Sequence, residues 1–212
     1  QRLVLTSDNN SPDRVREALK AVERHGMSLS RVGRLTDFSD GGATSVQIRP
    51  VAVEDLLGRA QTAVDRDSIA RLVAGRRILV TGAGGTIGGE LVRQIAALGP
   101  EHLTLVELSE VALYEIDMEM ARLFPGVSRR AMLRDIRDRA RLDRALEQER
   151  PEIVFHAAAL KHVPLAESNP NECVLTNVGG TMNVANASHA AGVPTMVLIS
   201  TDKAVNPSSI MG

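Results

Sequence analysis

From residue 76 onward the chain alternates short apolar runs with longer amphipathic stretches. The runs at 78–81, 103–107, 130–134, 153–156 and 195–200 are short and mostly apolar, as expected of strands buried on both faces. Between them, helical spacing predicts helices over 86–98, 110–124, 138–149 and 170–191. Gly99-Pro100, Pro125-Gly126 and Gly192-Val193-Pro194 stop three of these. Strands alternating with helices of about ten residues or more predict a parallel sheet with right-handed crossovers. The upstream pattern is sparser. Residues 3–6 read as a short buried strand. Ser11 is the expected N-cap of a helix with Pro12 in its first turn, Val15, Leu19 and Val22 on one face, and Gly26 as its stop. A second strand is expected over 28–34, a polar Gly-rich loop over 36–45, and a connector over 48–74 with a helical turn at 53–57 and a helix near 67–74.

The predicted organisation is therefore the tail of a smaller α/β domain (1–48), a connector (49–75) and a doubly wound parallel sheet of Rossmann type (76–212). Its strand order is 3-2-1-4-5, and the fold is cut short at its C-terminus. The chain starts at Gln1 rather than Met and stops at Gly212 at a loop-to-helix junction, so it reads as a piece of a longer protein.

Composition narrows the function. Hydrophobic residues make up 43% of the 212, enough for a real core, and 25 basic against 26 acidic residues leave a net charge of −1. That balance gives no electrostatic grip on nucleic acid. The Arg-rich stretch 129–150 is interleaved with acids and reads as a helix face with compensating pairs. The single cysteine, Cys173, is expected as a small apolar helix residue in a reducing compartment, with no metal-ligand spacing around it. No apolar run reaches the roughly 20 residues of a membrane helix; the longest, 153–160, is broken by His156. Met118, Met120 and Met132 read as core filler.

The chemistry concentrates in ILVTGAGGTIG, residues 78–88. A strand runs into glycines and then into a helix. Gly82 suits the tight turn, Gly85 has no side chain to hold a pyrophosphate off the backbone, and Gly88 lets the helix sit close to the sheet. Gly84 adds to the glycine content. The helix opening at Thr86 and Ile87 points free N–H groups at a phosphate. The next strand ends in Glu107, where a carboxylate can accept from an adenosine ribose and repel a 2′-phosphate, favouring NAD over NADP. The plain alternative is the polar end of a strand. Asp135 and Ile136 follow the third strand, placed to meet an adenine amino group and cover its ring. Ala157, Ala158 and Ala159 follow the fourth, where small side chains let a dinucleotide lie close. All fall at carboxyl ends of strands, where open α/β sheets bind ligands.

Together these segments resemble the extended short-chain dehydrogenase/reductases, and more narrowly the CapD-like polysaccharide-biosynthesis proteins, which are nucleotide-sugar dehydratases. The matching pieces are RPVAVEDLLGR (49–59), VTGAGGTIG (80–88), HAAALKHVP (156–164), TNVGGT (176–181) and STDKAVNP (200–207). The resemblance implies a UDP-N-acetylhexosamine substrate, with UDP-N-acetylglucosamine first, and tightly held NAD. Hydride leaves C4, water is lost across C5 and C6, and hydride returns to C6, giving a 4-keto-6-deoxy sugar nucleotide for surface polysaccharide.

It also implies roles. Thr201 holds the C4 oxygen, Asp202 is the acid for the departing C6 hydroxyl, and Lys203 is the base for the C5 proton. Lys161 and His162 face the substrate, although His156 and His162 read as loop-structuring rather than catalytic. Asn177 either anchors the fourth-strand loop through its amide or packs the helix. Met211 stands where the wider superfamily has its Tyr acid/base, which places the chain on a C5-retaining branch; the Lys partner of that position lies beyond Gly212. A homo-oligomer at the cytoplasmic side is expected, and the resemblance allows a membrane anchor in its longer form, with no membrane contact by this chain. The piece alone is expected to be inactive. The rival readings are an epimerase or C5-inverting dehydratase, and a non-catalytic dinucleotide sensor.

Overall fold

The computed structural model describes residues 2–5, 12–32, 48–50 and 65–211. The expected Ser11 cap, the 36–45 loop, the 53–57 helical turn and the 51–59 part of one motif lie outside the described residues. The chain divides into two compact units, Gln1–Val64 and Asp65–Gly212.

In the first unit, β1 (Arg2–Leu5) pairs parallel with β2 (Ser28–Val32), and β2 pairs antiparallel with β3 (Ile48–Pro50). Helix α1 (Pro12–Arg24) joins the parallel pair. Val15 and Val22 are buried against Leu29, with Leu19 alongside, the face expected from their spacing. β1 is not the buried strand expected: Leu3 is 38% exposed, because β1 lies at the edge of this sheet among the described residues. Residues 48–50, at the start of the expected connector, form a strand.

The second unit opens with α2 (Arg66–Val73), capped by Asp65, whose Oδ1 accepts from Ser68 N at 3.0 Å. There follow β4 (Arg77–Thr81), α3 (Thr86–Ala97), β5 (His102–Glu107), α4 (Glu110–Leu123), β6 (Arg129–Leu133), α5 (Arg139–Glu149) and β7 (Ile153–His156). Then come α6 (Val163–Ser168), α7 (Pro170–Cys173), a π-helical turn (Val174–Gly180), α8 (Thr181–Ala190) and β8 (Thr195–Leu198). The sheet order is β6-β5-β4-β7-β8 with all pairs parallel, the 3-2-1-4-5 order expected.

Successive side chains of β4 point to opposite faces, and the core splits accordingly. Ile78 and Val80 join Leu103, Leu105 and Ile153 under α3 and α4, through Val92, Ile95, Leu113 and Ile116. Leu79 joins Val106 and Val154 under α5 and α8, through Leu142, Leu146, Val184 and Ala187. Burial on both faces is why these strands read as continuous apolar runs.

Four local features differ from expectation. β6 and β8 are not buried on both faces, Met132 alone being buried among their residues, because they end the sheet order among the described residues. Residues 163–168 form a helix in what reads as loop, begun by Pro164 in its first turn. The long helix over 170–190 is interrupted by its π-turn. Met118 is 51% exposed, whereas Met120 and Met132 are buried; Met118 falls on the outer side of α4. The Arg-rich stretch is indeed paired. Arg129 meets Asp117 at 2.7 Å, Arg139 meets Asp143 at 2.7 Å, and Arg130 meets the buried Glu149 at 2.7 Å.

Candidate cofactor site

The loop after β4 is shaped by close approach. Gly82 has φ +68, and a Cβ there would stand 2.6 Å from Ala158 N, so only glycine serves in both conformation and space. A Cβ on Gly88 would collide with the Gly82 carbonyl oxygen, and one on Gly84 would stand 2.5 Å from Ala112 Cβ. Gly85 meets only the Gly82 oxygen, at 3.3 Å, and is otherwise open. Gly85 is also the N-cap of α3. It supplies no side-chain cap, and the first turn carries no acidic residue. The positive end of α3 is thus left to an anion.

Glu107, at the end of β5, braces this loop. Its Oε2 accepts from Gly84 N at 3.1 Å, and its Oε1 from Leu108 N at 2.8 Å and Ser109 N at 3.0 Å. Three amides thus fix the carboxylate while leaving it further lone pairs. After β6, Asp135 accepts from Arg137 through both oxygens, the shortest contacts being Nε at 2.8 Å and the terminal nitrogen at 2.7 Å. These bonds to Arg137 hold the Asp135 carboxyl below its ordinary range.

After β7, Ala157 N donates to Thr81 O at 3.1 Å. Just before it, His156 is 1% exposed. Its Nδ1 lies 2.6 Å from Thr81 Oγ1 and its Nε2 3.0 Å from Thr181 Oγ1. The ring ties β4 to the start of α8, and burial pushes its pKa down to about 4, so the imidazole is neutral. Asn177, within the π-turn, accepts from Leu160 N at 2.8 Å and donates to Leu160 O at 3.0 Å. Its amide clasps the backbone of Leu160 on both sides, and π-turns within helices are frequent at functional sites.

These strand ends enclose a cleft of about 550 Å³ lined by Gly82, Gly85, Glu107, Asp135, Ile136 and the three alanines 157–159, with Lys161 and His162 on its wall. Lys161 Nζ also reaches Thr86 Oγ1 at 3.3 Å. Gly84 and Thr86 instead border a second hollow of about 300 Å³ beside Arg93 and Glu119. Gly88 is buried under the loop, Ile87 is exposed, and Asn177 stands behind the lining.

The segment after β8 is not drawn into the cleft. Thr201, Asp202 and Lys203 are all exposed, and Met211 is half-buried. Thr201 caps a 3₁₀ turn (Asp202–Ala204): its Oγ1 accepts from Lys203 N at 3.3 Å and donates to Asp202 Oδ1 at 3.2 Å. Several residues of the cleft were not expected from sequence, two of them charged and paired with each other. Arg137 and Glu172 both line it. Arg137 directly follows Asp135 and Ile136, a hint that its reading as one more surface arginine passed over.

Among the described residues, no cluster of three or more His, Cys, Asp or Glu side chains could hold a metal. None of their helices is long and apolar enough to cross a membrane.

Comparison with known proteins follows the same lines. The probable polysaccharide biosynthesis protein EpsC of Bacillus subtilis is 41% identical over 194 residues, covering 91% of this chain and 32% of its own length. The capsular polysaccharide biosynthesis protein CapD of Staphylococcus aureus is 35% identical over 213 residues, covering 100% and 36%. A UDP-N-acetylglucosamine 4,6-dehydratase (inverting) of Campylobacter jejuni is 36% identical over 138 residues, covering 65% and 40%. The chain thus spans about a third of the first two relatives.

Among solved structures, Pen from Bacillus thuringiensis superposes with a TM-score of 0.61 at 33% identity, covering 66% of this chain and 43% of that one. UDP-glucose-4-epimerase from Stenotrophomonas maltophila, with bound NAD and formylated UDP-arabinopyranose, gives 0.54 at 26% identity, covering 60% and 38%. The family model described as polysaccharide biosynthesis protein matches residues 78–212, and with its Rossmann sheet and CapD and EpsC relatives the chain belongs to that family of the extended short-chain dehydrogenase/reductases.

Proposed function

We propose that this chain supplies the dinucleotide-binding part of a UDP-N-acetylhexosamine 4,6-dehydratase that holds NAD and serves polysaccharide biosynthesis. The observation that carries the reading is the convergence of four strand ends on one cleft, with an uncapped helix N-terminus and a braced carboxylate at its edge. These residues fit a dinucleotide. The side-chain-free approach at Gly85 and the amides of α3 suit a pyrophosphate. Glu107 suits ribose hydroxyls and disfavours a 2′-phosphate, hence NAD over NADP. Asp135 and Ile136 suit an adenine. Lys161 and His162 extend the wall toward the sugar nucleotide.

When bound, NAD supplies the acceptor and later the donor of hydride. The chain's own residues hold and move protons. Thr201 holds the C4 oxygen of the sugar, Asp202 gives a proton to the departing C6 hydroxyl, and Lys203 takes the proton from C5 and returns one, exchanged with solvent, to C5 when hydride reaches C6. Met211 has no proton to transfer, which leaves the C4 hydroxyl proton to Asp202; the resemblance to the Met-bearing branch supports dehydration with C5 configuration retained. The working protein is a homo-oligomer at the cytoplasmic face, and the 212-residue chain alone does not turn over.

The test is to incubate the whole protein with UDP-N-acetylglucosamine in deuterated water and follow it by NMR. A 4-keto-6-deoxy product with deuterium at C5 and unchanged C5 configuration is expected. Inverted C5 would establish the second reading, which the inverting Campylobacter relative favours. Bound dinucleotide with no product from any UDP-N-acetylhexosamine would establish a sensing module instead.

A further inference from the structure

Arg137 joins two walls of the cleft. Its guanidinium holds Asp135, at the end of β6, and its other terminal nitrogen lies 2.7 Å from Glu172 Oε2 on α7. All three residues line the cleft, so the chain of charges Asp135–Arg137–Glu172 runs from a strand end to a helix.

The backbone beneath this chain is fixed. Asn183 Nδ2 donates to the carbonyls of Ile136 at 3.1 Å and Arg137 at 3.0 Å. A Cβ on Gly180 would stand 2.5 Å from Ile136 Cδ1, so the loop is seated directly on the long helix. Opening is then a swing of one side chain rather than of the loop. The two links are also unequal. Asp135 takes several contacts from Arg137, including its backbone N at 2.9 Å. Glu172 offers one, with side chains 36% and 56% exposed. An exposed single contact is weak and readily screened by salt, so the Glu172 end opens first.

We propose that Arg137, tethered to Glu172, is a strap across the cleft that a dinucleotide must open to enter and to leave. This rests on the dinucleotide reading above. A pair that closes the cleft obstructs entry and release alike. That separates it from an ordinary binding contact, whose loss speeds release alone.

The experiment loads the protein with NADH, mixes it with excess NAD and follows the decay of NADH fluorescence; a second mixing series gives the association rate. Glu172→Gln is expected to raise both rates about fivefold at low salt and leave Kd within about twofold. Raising salt from about 0.05 to 0.5 M should bring the parent's rates toward the variant's. Arg137→Gln should match or exceed Glu172→Gln, and Arg141→Gln, on the outer face of α5, should change nothing. Unchanged rates in Glu172→Gln, or faster release with no faster entry, would overturn the strap alone. Failure of the parent to bind NADH would overturn both the strap and the dinucleotide reading.

Discussion

Two stretches at the same edge of one sheet are held very differently. The loops after β4, β5, β6 and β7 are bonded to each other and to the long helix: Gly84 to Glu107, Ala157 to Thr81, Leu160 to Asn177, Ile136 to Asn183. The segment after β8 begins with Ile199 N on the His156 carbonyl at 3.0 Å; beyond that it has bonds within its own turn and one from Ile210 N to Glu167 Oε1 at 2.9 Å, with its proton-transfer candidates exposed. A preorganised cleft thus adjoins residues with few bonds to the rest of the sheet edge. Binding and turnover are therefore expected to separate cleanly under mutation.

The widest separation comes from Lys203→Ala. It is expected to lower kcat of the whole protein by about 10³-fold, in the range of a lost general base, with NAD affinity unchanged by calorimetry. A parallel loss of affinity would merge the two regions. Gly82→Val strikes the other side of the comparison. The left-handed φ and the crowding at Ala158 should cost about 3 kcal/mol or more in chemical denaturation and abolish NAD binding.

His156 makes the braced region respond to pH. Its folded pKa of about 4 lies below the 6.5 of the unfolded chain, so the unfolded state binds more protons in between. Stability should therefore be full above pH 6.5 and fall by about 3 kcal/mol as pH drops toward 4. In His156→Asn, urea titrations across that range should show a flatter pH dependence on a lower baseline; an unchanged slope would assign the acid sensitivity elsewhere. The smallest effect is expected from Glu107→Gln, about a tenfold loss of NAD affinity together with a narrowed preference over NADP, read by competitive titration.

The braced region is also the part that could be read from sequence. The β4, β5 and β7 strands are mostly apolar because both faces are covered, and Gly82, Gly84 and Gly88 mark a loop that sterics demand. What escaped depends on distance along the chain. Arg137 meets Glu172 and Asn183 meets Ile136 only after the sheet has formed, and no local spacing records such pairs. The π-turn is equally silent in sequence, although the anchoring of the fourth-strand loop by the Asn177 amide is one of the two readings its position offers, and the bonds to Leu160 N and O agree with it. The helix at 163–168 was hidden by its brevity and by Pro164, which reads as loop unless placed in a first turn. The exposure of Leu3 and Met118 follows from edge position and helix phase, which apolarity does not reveal.

The central claim is that the cleft at the carboxyl edge takes a dinucleotide without help from the segment after β8. Calorimetric titration of NAD into the 212-residue chain tests it most directly. The account predicts one site per chain, competition by ADP-ribose, and loss of the heat in Gly82→Val. Absence of binding by a folded chain, or equal binding by folded Gly82→Val, would contradict it.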